Sequence, residues 1–267
     1  MQIIPTGGAL GAEIRGVDAT KPLAPAEVAE LKAAVLEHLL LVFRGQRLTE
    51  EEQVRFSRYF GDPVPHVRHQ AERPVPEIFV ISNVSENGEP IGALGNGELT
   101  FHSDLSYLPL PGSLSIVHAV EVPREGGDTQ WANAYAAYDA LPVELKERVV
   151  GLKAVHRHGE EEQNPDVPAS HPVVRTHPET RRRAMFVSPQ FTRYIESMPS
   201  TESDALLDAL LRHVTRPEFV WTHKWRPGDL VVGDNRCTMH RREAFNPTER
   251  RILKRTQMFG DAPFLEL

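Results

Sequence analysis

His102 and Asp104 are separated by one residue, and side chains two positions apart point to the same side of an extended strand. A third imidazole brought in by the fold would place two histidines and one carboxylate on one face of a metal ion. That donor set leaves the opposite face open, as non-haem Fe(II) oxygenases require. His240, far downstream, is the candidate for the third position. It ends the stretch Gly233-Asp234-Asn235-Arg236-Cys237-Thr238-Met239-His240, which follows a turn and strand at Gly228-Asp229-Leu230-Val231-Val232. The chain has 12 histidines, so spacing alone also admits His66, His69, His118, His156, His158, His171, His177, His213 and His223. Zinc accepts the same residue types, although CxxC and HExxH patterns are absent.

A second kind of chemistry lies nearby. Arg251 follows His240 after ten intervening residues, inside Arg250-Arg251-Ile252-Leu253-Lys254-Arg255. On a strand, Arg251, Leu253 and Arg255 share a face. A guanidinium holds a carboxylate through two parallel hydrogen bonds. The same pattern also describes a solvated basic edge strand. Thr129, after the turn Gly126-Gly127-Asp128, has a hydroxyl that could join Arg251 on one carboxylate.

The elements that must position these groups are short. Gly7–Asp18 reads as a strand pair. Pro22–His38 reads as a helix with Pro25 in its first turn and Val28, Leu31, Val35 and Leu39 on one face. Leu39–Phe43 reads as a buried strand. Thr49 with Glu52 forms a capping-box pattern that opens a helix to about Phe60. Further strands are expected at Glu77–Ile81, Ser113–Val122, Arg183–Val187, Val220–Trp225, Asp229–Val232 and Leu253–Phe259. Short and long helices are expected at Ala132–Leu141 and from a cap at Ser200 or Thr201 through Val214, the latter with Leu206, Leu207, Leu210 and Leu211 inward. Residues 83–98 lack periodicity and lead into His102, which makes them the expected lid over the site; residues 160–170 form a second loop. Many short strands without a βαβ rhythm predict a mainly β sandwich or barrel with helices packed outside, in one domain over residues 1–267.

Composition narrows the setting. A net charge of −7 gives no basic stripe for nucleic acid, and Arg181-Arg182-Arg183 reads as a solvated turn. The one cysteine, Cys237, excludes an intrachain disulfide and reads as a packed small residue. It suits a reducing cytoplasm, where Fe(II) is easier to keep. The N-terminus lacks the pattern of a signal peptide, and the longest apolar run, Leu39–Phe43, is too short to span a bilayer. The expected setting is cytoplasmic, with no nucleic-acid or membrane partner.

Taken together and in this order, the motifs resemble the TauD/TfdA family of Fe(II)- and 2-oxoglutarate-dependent dioxygenases. His102-Ser103-Asp104 resembles the family's H-x-D, and Pro123–Trp131 the segment carrying its threonine. Gly233–His240 resembles the W-D-N-x-x-x-x-H segment, with glycine in place of tryptophan, and Arg251 falls at the H-x10-R spacing. The resemblance implies a double-stranded β-helix, or jelly-roll and cupin-like core, with flanking helices. It implies Fe(II) held by His102, Asp104 and His240, and 2-oxoglutarate held at its distal carboxylate by Arg251 and Thr129, with O2 as the other cosubstrate. Arg255, His66 and Phe191 match substrate-pocket positions. His69 stands where taurine enzymes carry a tyrosine, and Glu98 lies where their amine site falls. An anion site therefore survives and the amine site does not, which points away from taurine. The implied activity is hydroxylation of a small anionic molecule, with release of succinate and CO2 and with product fragmentation where the hydroxyl lands beside a heteroatom. A phenoxyalkanoate-cleaving member is the alternative within the family. A non-catalytic metal- or metabolite-binding protein and a zinc hydrolase are the alternatives outside it. A homodimer is the expected assembly.

Overall fold

A computed structural model describes residues 1–66 and 73–266 of the chain. Two sheets enclose a cavity. The larger runs in the order Gln2–Pro5, Ala12–Arg15, Leu40–Phe43, Leu230–Asp234, Gly112–Glu121, Ile252–Phe259, Phe79–Ser82, Ala93–Leu94. The smaller runs Val220–His223, Thr129–Asn133, Thr238–Arg242, Leu99–His102. Along the chain, consecutive core strands change sheet, from Phe79–Ser82 to Leu99–His102 to Gly112–Glu121 to Thr129–Asn133. After an insertion, the alternation resumes at Val220–His223 and ends at Ile252–Phe259. This is the expected jelly roll.

The alternation of side chains explains why both faces of the large sheet are apolar. Ser115 and Val117 point into the cavity. Leu114 and Ile116 point outward, where Leu31, Ala34 and Val35 of helix Pro25–His38 and Phe56 of helix Glu50–Ser57 pack on them with Leu230 and Val232. Fully burying such a side chain contributes about 1.5–3 kcal/mol. Gln53 locks the second helix down, because its buried Nε2 donates to the Ile116 and Lys254 carbonyls at 3.2 and 2.9 Å. The capping box is formed as expected: the Glu52 amide donates to Thr49 Oγ1 at 3.2 Å, and the Thr49 amide donates to the Glu52 carboxylate at 2.8 Å.

Several expectations shift. The first strand pair is Gln2–Pro5 with Ala12–Arg15, so the glycines at 7, 8 and 11 make the turn and not a strand. The short helix begins at Ala134 because Thr129–Asn133 is a strand, and the Asn133 side chain caps it by accepting from Tyr135 and Ala136 amides. Helix Ser200–Val214 starts after Pro199 with no side-chain cap, so neither Ser200 nor Thr201 has that role. Its inner face is Leu206, Leu207, Leu210 and Val214, with Leu211 half-buried at the margin. The lid, residues 83–98, carries a small ladder, Ser85–Glu86 with Glu89–Pro90, and the strand Ala93–Leu94 joins the large sheet. A three-stranded sheet of Lys153–His156, Ala169–Pro172 and Thr192–Ile195, and the helix Val143–Val149, were not expected.

That small sheet pins the segment after Asp104. His156 Nδ1 lies 3.1 Å from Ser106 Oγ, and His171 Nε2 lies 2.9 and 3.0 Å from the Ser106 and Leu108 carbonyls. Burial, reinforced for His156 by His171, pushes the two imidazoles down from 6.5 to about 3 and about 4. Both are neutral in the fold, whereas the unfolded chain takes up these protons as pH drops below 6.5. Stability is therefore complete above that value and is lost from there toward the native values. Each histidine should cost about 2 kcal/mol of stability at pH 5 relative to pH 7. Urea unfolding at the two pH values checks this, and His171→Gln should lose roughly half of the difference contributed by the pair.

Candidate active site

His102 and His240 face each other directly across an antiparallel strand pair. Their ring centroids are 4.3 Å apart. Asp104 follows in the turn just beyond strand Leu99–His102, and its Oδ1 lies 3.9 Å from each Nε2. Ligand atoms of the three residues lie within 4.8 Å of one another. The register is irregular here, with His240 opposite His102 but Arg242 opposite Leu99. Leu99 and His102 are three apart and would ordinarily face opposite ways; the extra residue lets both line the cavity. Gly112 permits the close turn, since a Cβ there would meet the Asp104 carbonyl at 3.2 Å.

The surroundings orient each donor. His102 Nδ1 lies 2.8 Å from the Thr100 carbonyl, so it carries the proton, and Nε2 is the nitrogen on the side of Asp104 where a metal would bind. Asp104 Oδ2 accepts from Ser115 Oγ at 2.7 Å, and Asn235 Nδ2 donates to that same Oγ at 3.0 Å. Asp104 Oδ1 accepts from Arg255 Nη1 at 2.8 Å. Burial alone would raise the Asp104 carboxyl, but Arg255 and the two imidazoles hold it well below the usual range. Burial and His102 push His240 down to about 3, so it stays neutral as a ligand must be.

The competing histidines are committed elsewhere. His223 binds Asp229 at 3.0 Å, His118 the Gln46 carbonyl at 3.1 Å and His213 the Ala137 carbonyl at 2.8 Å. His177 sits with Asp234 and Cys237 in a second cluster of ligand-type atoms. There, however, Arg236 donates to both Asp234 oxygens at 2.9 and 2.7 Å. His177 Nδ1 accepts two amides, so its Nε2 donates to Asp234 at 3.1 Å. Cys237 is buried as expected, and burial followed by Asp234 pushes its thiol up. This cluster is a completed ionic network supporting the strand that bears His240.

Two chambers meet at the triad. The first reaches past Val117, Trp131 and Val231 to Thr129, Arg242 and Arg251. Arg251 is 2 % exposed, donates Nη2 to the Gly127 carbonyl at 3.2 Å, and has a buried Nε with no partner among the described residues. Burial and the neighbouring Arg242 push its guanidinium down to about 9, the mark of a cation lacking its anion. Thr129 Oγ1 accepts from Trp225 Nε1 at 2.9 Å, which leaves its own proton to donate. Strand Ile252–Phe259 lies between two others, so it is not an edge, and Arg251, Leu253 and Arg255 do share the cavity face. These donors fit a dicarboxylate whose far end reaches Arg251 and Thr129.

The second chamber is lined by His66, Phe79, Tyr107, His158, Gln190 and Phe191, together with Leu94, Leu99, Leu105, His102, Asp104 and Arg255. His66 stacks on Phe79 with centroids 4.0 Å apart. His69 lies outside the described residues. Glu98 corrects an expectation: its carboxylate turns outward to Arg241, 3.0 Å away, and lines neither chamber. Ser115, Asn235, Trp225, Arg242, Tyr107 and His158 were missed. Ser115 had a legible signal, since it is a polar residue on the inward face of an apolar strand.

Residues 2–257 match the sequence model of the family described as Taurine catabolism dioxygenase TauD, TfdA family. The chain belongs to the TauD/TfdA family. It is 35% identical over 275 residues to the alpha-ketoglutarate-dependent 2,4-dichlorophenoxyacetate dioxygenase of Cupriavidus pinatubonensis, covering 94% of this chain and 95% of the relative. A taurine dioxygenase from Burkholderia xenovorans superposes with a TM-score of 0.86 at 39% identity, covering 98% of this chain and 90% of that one. The AAD-2 protein in complex with Mn(II) and N-oxalylglycine superposes with a TM-score of 0.83 at 33% identity, covering 98% of each. As a TauD/TfdA enzyme, the chain is an oxidoreductase that uses Fe(II), 2-oxoglutarate and O2. A zinc hydrolase would leave Arg251 and Thr129 with nothing to hold.

The Asn235–Ser115–Asp104 relay gives a measurable consequence. Ser115→Ala should weaken Mn(II) or Fe(II) binding by about 10- to 100-fold without unfolding the sheet, whereas Asp104→Ala should remove binding altogether. Anaerobic titration calorimetry reads both, and an unchanged affinity in Ser115→Ala would remove the relay's assigned role.

Proposed function

We propose that this dioxygenase, as one domain over residues 1–267, hydroxylates a small organic anion. In this reading His102, Asp104 and His240 hold Fe(II), and Arg251 with Thr129 holds the distal carboxylate of 2-oxoglutarate. Arg255, His66 and Phe191 face the substrate. The observation that carries the reading is that His102, Asp104 and Arg255 line both chambers, one ending in unpaired guanidiniums and the other walled by aromatic rings. When bound, iron and 2-oxoglutarate supply the oxidation of a C–H bond, with succinate and CO2 released.

The chain's own part is orientation and exclusion of water. Thr100 fixes the His102 tautomer, and Ser115 fixes the Asp104 rotamer. Arg251 and Thr129 set the direction of the cosubstrate through geometry that a point charge would not give. Trp131, Trp225, Val117, Val231 and Leu253 keep that chamber apolar. Leu94 and Leu99 border both chambers, so the lid shields substrate and cosubstrate together. Phe79, Tyr107 and Phe191 favour a flat or aryl body, with Arg255 receiving its anionic group. An aryloxyalkanoate meets both demands, and hydroxylation beside its ether oxygen would split it. The same-class relative at 35% identity, a 2,4-dichlorophenoxyacetate dioxygenase, supports that choice. Among the described residues no helix is long and apolar enough to cross a membrane. The one cysteine and the iron chemistry support a cytoplasmic setting, and a homodimer is the proposed assembly.

Succinate release tests the assignment across aryloxyalkanoates, aryl sulfates and taurine. Aryloxy acids should raise it at least about tenfold over the substrate-free rate and taurine should not, a difference equivalent to one charged contact. Anaerobic addition of Fe(II) and 2-oxoglutarate should produce weak visible charge-transfer absorption that Asp104→Ala lacks. No absorption, and no succinate with any acid, would sink the reading.

A further inference from the structure

The closed end of the first chamber holds a second guanidinium that the 2-oxoglutarate assignment does not use. Arg242 lies two residues past His240 on the same strand, lines the same chamber and is 3 % exposed. Its Nη2 donates to the Leu94 carbonyl at 2.8 Å and to the Gly97 carbonyl, both in the lid. Its Nε and Nη1 are buried and have no hydrogen-bond partner among the described residues. The ring of Phe245 serves both cations, lying 5.7 Å from the Arg242 guanidinium carbon and 5.8 Å from that of Arg251. The Phe245 amide in turn donates to the Asn96 carbonyl at 3.3 Å, a third tie to the lid.

The Arg242 charge acts against that of Arg251, and among the described residues neither guanidinium is hydrogen-bonded to a carboxylate. A buried cation with unsatisfied N–H groups is stable only with an anion beside it. The anion that fits between Arg251, Thr129 and Arg242 is one end of a dicarboxylate. Arg242 differs from Arg251 in what its remaining nitrogen holds: Arg251 is tied to Gly127 in the rigid turn, and Arg242 is tied to the lid.

We propose that Arg242 is a further binding residue for the distal carboxylate of 2-oxoglutarate and that it transmits occupancy of that site to the lid. One of the unpartnered nitrogens, Nε or Nη1, donates to the carboxylate while Nη2 holds the Leu94 and Gly97 carbonyls. Without the anion, the bonds to the lid are made by a guanidinium whose other N–H groups are unsatisfied, so they open more readily. With the anion in place, the same side chain is satisfied on both sides and residues 94–97 are held over the site. Cosubstrate binding and lid order are then linked, and each strengthens the other. Leu94 also borders the substrate chamber, so a lid held more firmly when 2-oxoglutarate is bound also closes the substrate side more firmly. A lysine cannot replace this link, since one compact ammonium does not bridge a carboxylate and two carbonyls as a planar fork does.

The inference rests on the placement of the distal carboxylate at Arg251 and Thr129, so the test separates the two. Full-length protein loaded with Mn(II) is titrated with 2-oxoglutarate, and hydrogen–deuterium exchange is followed in peptides covering residues 93–99. In the unaltered protein 2-oxoglutarate should slow exchange there, and 2-oxobutyrate, which lacks the distal carboxylate, should not. Arg242→Gln should bind 2-oxoglutarate about tenfold more weakly or worse, and its lid should exchange rapidly even at saturation. Arg242→Lys keeps the charge and the contact with Phe245 and guards against a misfolded glutamine variant. It should retain part of the affinity and lose the protection. Unchanged affinity, or full 2-oxoglutarate-dependent protection in both Arg242 variants, overturns the inference while leaving Arg251 in its role. Unchanged affinity in Arg251→Gln overturns the underlying placement instead.

Discussion

Everything at the site depends on the pairing of His240 with His102 across two antiparallel strands. Side-chain direction in a strand has a period of two, so a slip of one residue would send one imidazole to the far side of the sheet. The register is guarded from both sides. Trp131 sits opposite His240 on the other neighbouring strand, its ring 6.1 Å from the imidazole. On the facing sheet, a Cβ at Gly233 would come within 3.2 Å of Leu40 Cδ1, so glycine keeps that side open.

Charge is arranged with the same economy. Arg242, Arg251 and Arg255 are all buried around the cavity, with Asp104 the one carboxylate among its lining residues. Their excess of positive charge stands inside a protein whose net charge is −7. Such an imbalance opposes folding and persists where a ligand supplies the missing anions. The Asp234–Arg236–His177 network contains similar residue types and does the opposite. Each of its polar contacts closes on another side chain or amide, which leaves no donor for a metal. Proximity of histidine, carboxylate and thiol does not make a binding site. Unfilled valence at the right atoms does.

The division between what was legible and what was not follows strand periodicity. His102, Asp104, His240, Thr129, Arg251 and Arg255 were nameable because motif order and spacing survive along strands. The core strands Phe79–Ser82, Gly112–Glu121, Val220–His223, Leu230–Asp234 and Ile252–Phe259, the helix Pro25–His38 and the capping box at Thr49 were legible for the same reason: each leaves a period or a cap in the sequence. The strand Thr238–Arg242 left no such trace. It reads Thr-Met-His-Arg-Arg, and its inward residues are a ligand and an arginine, so polarity hides its alternation. The small sheet built on Lys153–His156 is invisible for a related reason, because its buried members include His156 and His171. The outward turn of Glu98 to Arg241 was not legible either, because a motif position in a lid says nothing of which way a loop side chain turns.

The two chambers differ in what holds them, and that difference bears on selectivity. Thr129, Arg251, Leu253, Val117 and Val231 stand on paired strands or directly beside them, where a shift of one group disturbs two sheets. His66, Leu105, Tyr107, His158 and Gln190 come from connecting segments pinned by a few side-chain contacts. Side chains on loops are free to change without moving the sheets. Arg255 is the exception, since it belongs to a central strand, binds Asp104 and borders both chambers. In the proposed reading, an anionic group in the second chamber would meet a guanidinium that already holds Asp104. Drawing Arg255 toward it would loosen that bond and leave more negative charge on the carboxylate proposed to bind iron, so substrate charge and the metal-binding carboxylate would be coupled through this one side chain.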